Sequence, residues 1–258
     1  MTLVPDLPTS VRLSLWATRA FAGGLDLSTA LRLAAPDADH LTGGEPTLAA
    51  WRDLGERAVL VALPRPGRLH GLPRGDADFT DAALEAGECV YVPGVGGALV
   101  PDVREFGPAG DTGLAVSWVA HGCDPTPAHV LDAWSLRDAD RTLRGELAAA
   151  VELLERSSTT PWASRGLRDL ADEQLGAGRW GLPDDLPAAA YRLLRTAATL
   201  AHAARLGLAA PDDSLEARSA TDRADALRRL GDVADTALAH VTNVAALHLA
   251  GYRPGRDD

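Results

Sequence analysis

The stretch Asp124-Pro-Thr-Pro-Ala-His-Val-Leu-Asp-Ala-Trp-Ser135 divides the chain. Two prolines in three residues can neither donate to a sheet ladder nor continue a helix, so a boundary belongs here. Upstream lie short β-branched and aromatic runs separated by glycine and proline: Ala58-Val-Leu-Val-Ala-Leu63, Cys89-Val-Tyr-Val92 and Leu114-Ala-Val-Ser-Trp-Val-Ala120. Downstream, apolar residues recur at helical spacing. That order predicts an α+β protein. Residues 1–124 form an α+β region with a mainly antiparallel sheet of four or five strands. Residues 125–258 form an all-α layer or bundle of four helices, packed on the first region as one cooperative unit.

Working back from the boundary, strands are expected at 114–120, 98–106, 88–92 and 57–63, with a short one at 68–70. The connections are too short for crossover helices, which predicts antiparallel pairing, with helices on one side of the sheet. The unbroken apolar runs at 58–63 and 114–120 predict central strands covered on both faces. Three short helices precede the first strand, and another begins at Thr80. Forward of the boundary, Leu136, Leu143, Leu147, Val151 and Leu154 form one helical stripe, and Leu167, Leu170 and Leu175 a shorter one. Leu193, Ala197, Leu200 and Ala204 follow. The longest helix runs from about Leu215 to about Leu249, with Leu227, Leu230, Val241 and Val244 expected in the core.

Composition excludes several functions. The net charge of −11 is spread over both halves, with 9 Arg against 16 Asp plus Glu in residues 1–130. Neither half offers the basic face that nucleic acid or an anionic membrane surface requires. No run reaches the roughly 18–20 apolar residues of a membrane span. The N-terminus lacks the features of a signal peptide, and two cysteines make no disulfide framework, so a cytoplasmic location is expected. Lysine and isoleucine are absent, with one asparagine and one glutamine. That pattern fits a GC-rich bacterial genome and dilutes the meaning of the abundant alanine and arginine.

The densest group of reactive side chains is His121-Gly-Cys-Asp124, where a base, a nucleophile and a carboxylate meet at a strand end. Thiol and imidazole two apart on a strand share a face. The acidic surroundings are unfavourable for a reactive thiolate, which needs positive charge nearby. A metal site from His70, Cys89, His121 and Cys123 would lack the second closely spaced ligand pair of zinc sites, so no metal is expected. Pro93-Gly-Val-Gly-Gly97 is followed by a strand, not a helix, and reads as a hairpin rather than a phosphate cradle. On the later helices, Arg192, Arg195 and His202 form a local positive face suited to an anion. Of the tryptophans, Trp162 and Trp180 stand in loops.

No cofactor is called for. The reading that follows is a non-enzymatic soluble protein acting through self-association, with a homodimer as the expected assembly, or through binding a protein or small ligand. The alternative is a hydrolase or transferase with its site around His121, Cys123 and Asp124, where sheet meets helices.

Overall fold

A computed structural model describes residues 7–69, 71–108, 111–156, 180–209 and 217–252. The chain is α+β. The sheet-bearing part comprises α1 (Thr9–Phe21), α2 (Leu27–Ala34), β1 (His40–Gly43), α3 (Glu45–Asp53), β2 (Leu60–Ala62), α4 (Ala77–Ala86), β3 (Cys89–Tyr91), β4 (Ala98–Phe106) and β5 (Gly113–His121). Helices α5 (Ala128–Asp132), α6 (Leu136–Arg156), α7 (Ala188–Ala209) and α8 (Ala217–Leu249) follow. Two compact units result: one holds Leu7–Trp134, Gly181–Ala190 and the chain from Thr242, and the other holds residues from Ser135 to Trp180 and Tyr191–Val241. Helix α8 contributes to both.

The five strands lie in the order β1-β5-β4-β3-β2. All neighbours are antiparallel except β1 and β5, which makes the sheet mixed. Strand β1 was not expected. His40-Leu-Thr-Gly43 carries no alternating apolar pattern, because its residues are mostly exposed. It stays beside β5 through backbone contact, and a Cβ on Gly43 would collide with the carbonyl of Trp118. Of the short strand expected at 68–70, the described residues Arg68 and Leu69 belong to no named strand, and Arg68 closes the turn expected at 64–67. Arg65 and Arg68 exchange both backbone hydrogen bonds, 3.0 and 2.8 Å, around Pro66 and a left-handed Gly67. His70, the helix expected over 167–175 and Trp162 lie outside the described residues.

Register fixes what each sheet face sees. Leu99, Val116 and Trp118 pack with Val90 against α1, α2 and α3 in one buried cluster. Alternation sends Ala98, Val100, Val119 and His121 to the opposite face. Helix α4 lies on that second face, where the Phe79 ring meets His121 at 5.9 Å between centroids. Helices are therefore not confined to one side.

The run 58–63 is wholly buried, as expected, yet β2 is an edge strand, not a central one. Side chains replace the missing neighbour. Val61 donates its N–H to Asn243 Oδ1 (2.7 Å) and accepts from Asn243 Nδ2 (3.0 Å), so one amide from α8 mimics a strand residue. Val59 donates to Thr18 Oγ1 (2.9 Å), and its carbonyl accepts from Ser14 Oγ (2.6 Å). A buried backbone group left without a partner costs about 1–3 kcal/mol, so these contacts let an edge sit in the core.

Helix α1 is buried on nearly every side, with Val11, Leu13, Leu15 and Ala17 fully enclosed. Residues 181–190 dock on it: Trp16 Nε1 donates to the Gly181 carbonyl (2.6 Å), and Arg19 pairs with Asp185 (2.8 Å). In α8, Leu227, Leu230 and Val241 are buried as the spacing predicts, while Val244 is only half-buried. Beyond Val241 the buried residues include Thr242, Asn243, Ala245 and Ala246, because this last part of the helix packs on more than one side. Among the described residues, no helix is long and apolar enough to cross a membrane.

Candidate functional site

A concave feature of the sheet-bearing unit lies on its second face, between α4 and strands β4 and β5. Its cause is a mismatch of strand lengths. Among the described residues, strand β3 pairs with β4 only at Ala98 and Leu99, and β4 then runs on to Phe106 with β5 as its sole strand neighbour. Pro101, which lacks an N–H, is tolerated on such an open edge. Helix α4 covers the start of this exposed surface and leaves a cavity of about 490 Å³ beside it.

The walls are fixed partly by local signals and partly by distant contacts. Helix α4 begins at Asp76, whose carboxylate accepts from the Phe79 N–H (2.8 Å), and ends at Gly87 in the left-handed conformation. Phe79 and Ala83 turn inward, while Ala82, Glu85 and Ala86 face the cavity. Arg65 donates to the Gly87 carbonyl (2.6 Å) and fixes the turn into Glu88. The Glu88 carboxylate accepts from the Ser10 N–H (2.6 Å), an otherwise unpaired donor in the first turn of α1. Burial pushes the Glu88 carboxyl above its ordinary range, against the opposing pull of the Ser10 bonds and of Arg65 and Arg12. From the sheet, Val100 and Val119 supply apolar floor, and Asp102 and His121 supply polar groups. Arg104 also lines the cavity, but its guanidinium is forked onto Asp102 at 2.9 and 2.6 Å.

His121 thus lines the cavity, whereas Cys123 and Asp124 are not among its lining residues. Cys123 lies past the end of β5, where its Sγ accepts from the Gly97 N–H (3.1 Å). Burial pushes this thiol up, the Gly97 bond opposes that shift, and Asp124 adds to it. Asp124 is exposed, with its backbone N–H bonded to the Arg74 carbonyl (2.6 Å). Cys89 is enclosed in β3 and its thiol is also raised by burial. Neither cysteine is held in a disulfide. Among the described residues, no three His, Cys, Asp or Glu side chains converge as metal ligands.

The 93–97 segment is the expected hairpin, and the Val95 and Gly97 N–H groups in it are already engaged, the latter by Cys123 Sγ. Glu56 accepts from the Val95 N–H, and the Pro93 carbonyl accepts from Thr126 (2.9 Å). A carboxylate thus holds the donor that a phosphate would need. Arg192, Arg195 and His202 lie along α7, in the other unit, at spacings that place them on one side of the helix. Arg192 is exposed and His202 half-buried, and burial together with Arg205 lowers the imidazole's pKa. Thr199 bonds back to the Arg195 carbonyl (2.8 Å) instead of facing outward as an anion donor.

Sequence reasoning missed Glu85, Glu88, Asp102 and Arg104. The signal for two of them was present: pairing 98–106 against 113–121 places Asp102 and Arg104 on the His121 face. Glu88 carried none, because its place depends on α1, which lies 78 residues earlier in the chain.

Residues 10–134 match the model of the Rv1486c-like protein N-terminal domain, and residues 137–239 match that of the Rv1486c-like protein C-terminal domain. No curated protein and no solved structure matches the chain. With both domain models matched in order over most of its length, the chain belongs to the Rv1486c-like protein family.

Proposed function

We propose that this protein acts by binding a small molecule in the cavity between α4 and strands β4 and β5. The observation that carries the reading is the cavity itself. Its volume of about 490 Å³ falls within the range of small-molecule sites, and it joins an apolar floor to a few convergent polar groups. The hydrolase or transferase alternative draws less support. A nucleophile-and-base pair requires Cys123 and His121 in one opening, and only His121 lines this one. Homodimerisation through the alanine-rich last helix also has less to rest on. Ala226, Ala234, Ala237, Ala239, Ala245 and Ala246 are already buried within a single chain.

The test is a fragment screen by nuclear magnetic resonance, with Ala82, Val119 and His121 as reporters. Hits should cluster on these three, and Val119→Trp should abolish them by filling the cavity while the fold persists. Hits insensitive to Val119→Trp would overturn the reading, and so would a screen in which the three reporters never move.

A further inference from the structure

Beyond Leu99 the free side of β4 presents a defined set of backbone groups. The Gly97 carbonyl accepts from the N–H of Val92, just past β3 (3.1 Å). Strand alternation then turns the backbone groups of Leu99, Pro101, Val103 and Glu105 to that same side. Proline supports the assignment: the β4–β5 ladder runs unbroken from Ala98 to Phe106, so the missing N–H of Pro101 falls on the free side. Among the described residues, no strand pairs with Val103 or Glu105 from there. The cavity lies along Pro101, Asp102, Val103 and Arg104, and Val103 is 48% exposed, so this edge is open to a further strand.

The charges on the edge choose its partner. With a second copy laid antiparallel so that Val103 faces Val103, Asp102 of each chain stands opposite Arg104 of the other. These are non-hydrogen-bonded positions, where opposed side chains come closest. Val103 exchanges its N–H and C=O bonds with its twin, and the Glu105 N–H faces the partner's Pro101 carbonyl. Sliding either chain by two residues sets Asp102 against Asp102 or Arg104 against Arg104, which like charge disfavours. Charges that turn foreign strands away thus match in this register. We propose that the outer edge of β4 is a self-recognition surface, where two copies of this chain pair about a two-fold axis at Val103. The ladder reaches only from Pro101 to Glu105, far short of a standard interface, so the dimer is weak, with a Kd on the order of 100 μM. This goes beyond the ligand-binding reading and does not rest on it.

The test is sedimentation of the intact chain from about 10 μM to about 1 mM, over which the average mass should rise toward that of a dimer. The Arg104 and Asp102 side chains are 76% and 38% exposed, so reversing either charge leaves folding alone. Asp102→Arg and Arg104→Asp should each weaken self-association by about tenfold or more, because like charges then face each other. Mixed in equal amounts, the two variants should associate as tightly as the parent, since the arginines of one meet the aspartates of the other. Hydrogen exchange at the Val103 and Glu105 amides should slow as the parent is concentrated. A parent that stays monomeric at about 1 mM contradicts the proposal. So does a dimer that both single variants keep, one that leaves these two amides unprotected, or a mixture that associates no better than its components.

Discussion

Among the described residues, strand β2 and the outer run of β4 each lack a strand neighbour on one side, and they are finished in opposite ways. The free side of β2 is sealed by Asn243, Thr18 and Ser14, and every residue of the strand is buried. The free side of β4 beyond Leu99 carries Pro101, Asp102, Arg104 and Glu105 and becomes progressively exposed. Proline and charge are the ordinary means of keeping an open edge from pairing with other chains. An edge sealed by side chains contributes to stability and offers no surface. An edge guarded by charge is left accessible, and in this molecule the cavity lies beside it.

Perturbing the sealed edge should therefore cost far more than perturbing the guarded one. The largest effect is expected from Val241→Asp, two residues before Asn243 on the same helix, which buries an unpaired charge and should cost about 3–5 kcal/mol. Since α8 contributes to both compact units, we propose that the whole chain melts in one calorimetric transition and that this variant lowers it as a whole. Two separated transitions would contradict the proposal. Asn243→Ala strands the N–H and C=O of Val61 and should cost about 3 kcal/mol, read from the urea midpoint. Thr18→Val, which removes one partner from Val59, should cost about 1–2 kcal/mol. A midpoint unchanged in Asn243→Ala would show that the seal contributes nothing.

A smaller effect concerns pH. Because the folded pKa of Glu88 is raised, the folded state holds this proton more tightly than the unfolded chain does. Its contribution to stability is complete below the ordinary glutamate value of 4.5 and is lost as pH rises through the folded pKa. Glu88→Gln should remove that decline, so the stability of the variant relative to the parent should increase with pH above 4.5. A difference that stays constant with pH would refute the burial argument. At the guarded edge, Arg104→Ala should leave the urea midpoint within error, because the pair with Asp102 is exposed to solvent.

What could be read from the sequence divides along the same line. The boundaries of β4 and β5 and the span of α8 follow from local pattern, since periodicity and glycine or proline stops act over a few residues. The i,i+4 pair of Asp140 and Arg144 on α6, 2.9 Å apart, was equally local. The edge position of β2 was not legible. Ala58 to Leu63 reads as a central strand because burial alone sets its composition, and periodicity cannot distinguish a neighbouring strand from an asparagine supplied by α8. Strand β1 escaped for the converse reason, being held by its backbone with little side-chain pattern. At the site, His121 was found because it is a reactive group at a strand end. Pairing it with Cys123 assumed that the strand's alternation continues, but β5 stops at His121.

The bond between Val61 and Asn243 spans 182 residues, which ties the sheet to the order in which the chain is made. At about 5–20 residues per second, a ribosome needs about 10–40 s to deliver the asparagine after the valine has left the peptidyl-transferase centre. Throughout that interval the N–H and C=O of Val61 in β2 lack the asparagine that pairs them, although Ser14 and Thr18 of α1 are already made. Nascent chains that end before α8 should therefore be the most dependent on chaperones, and the most prone to associate with one another, of all the forms this polypeptide takes.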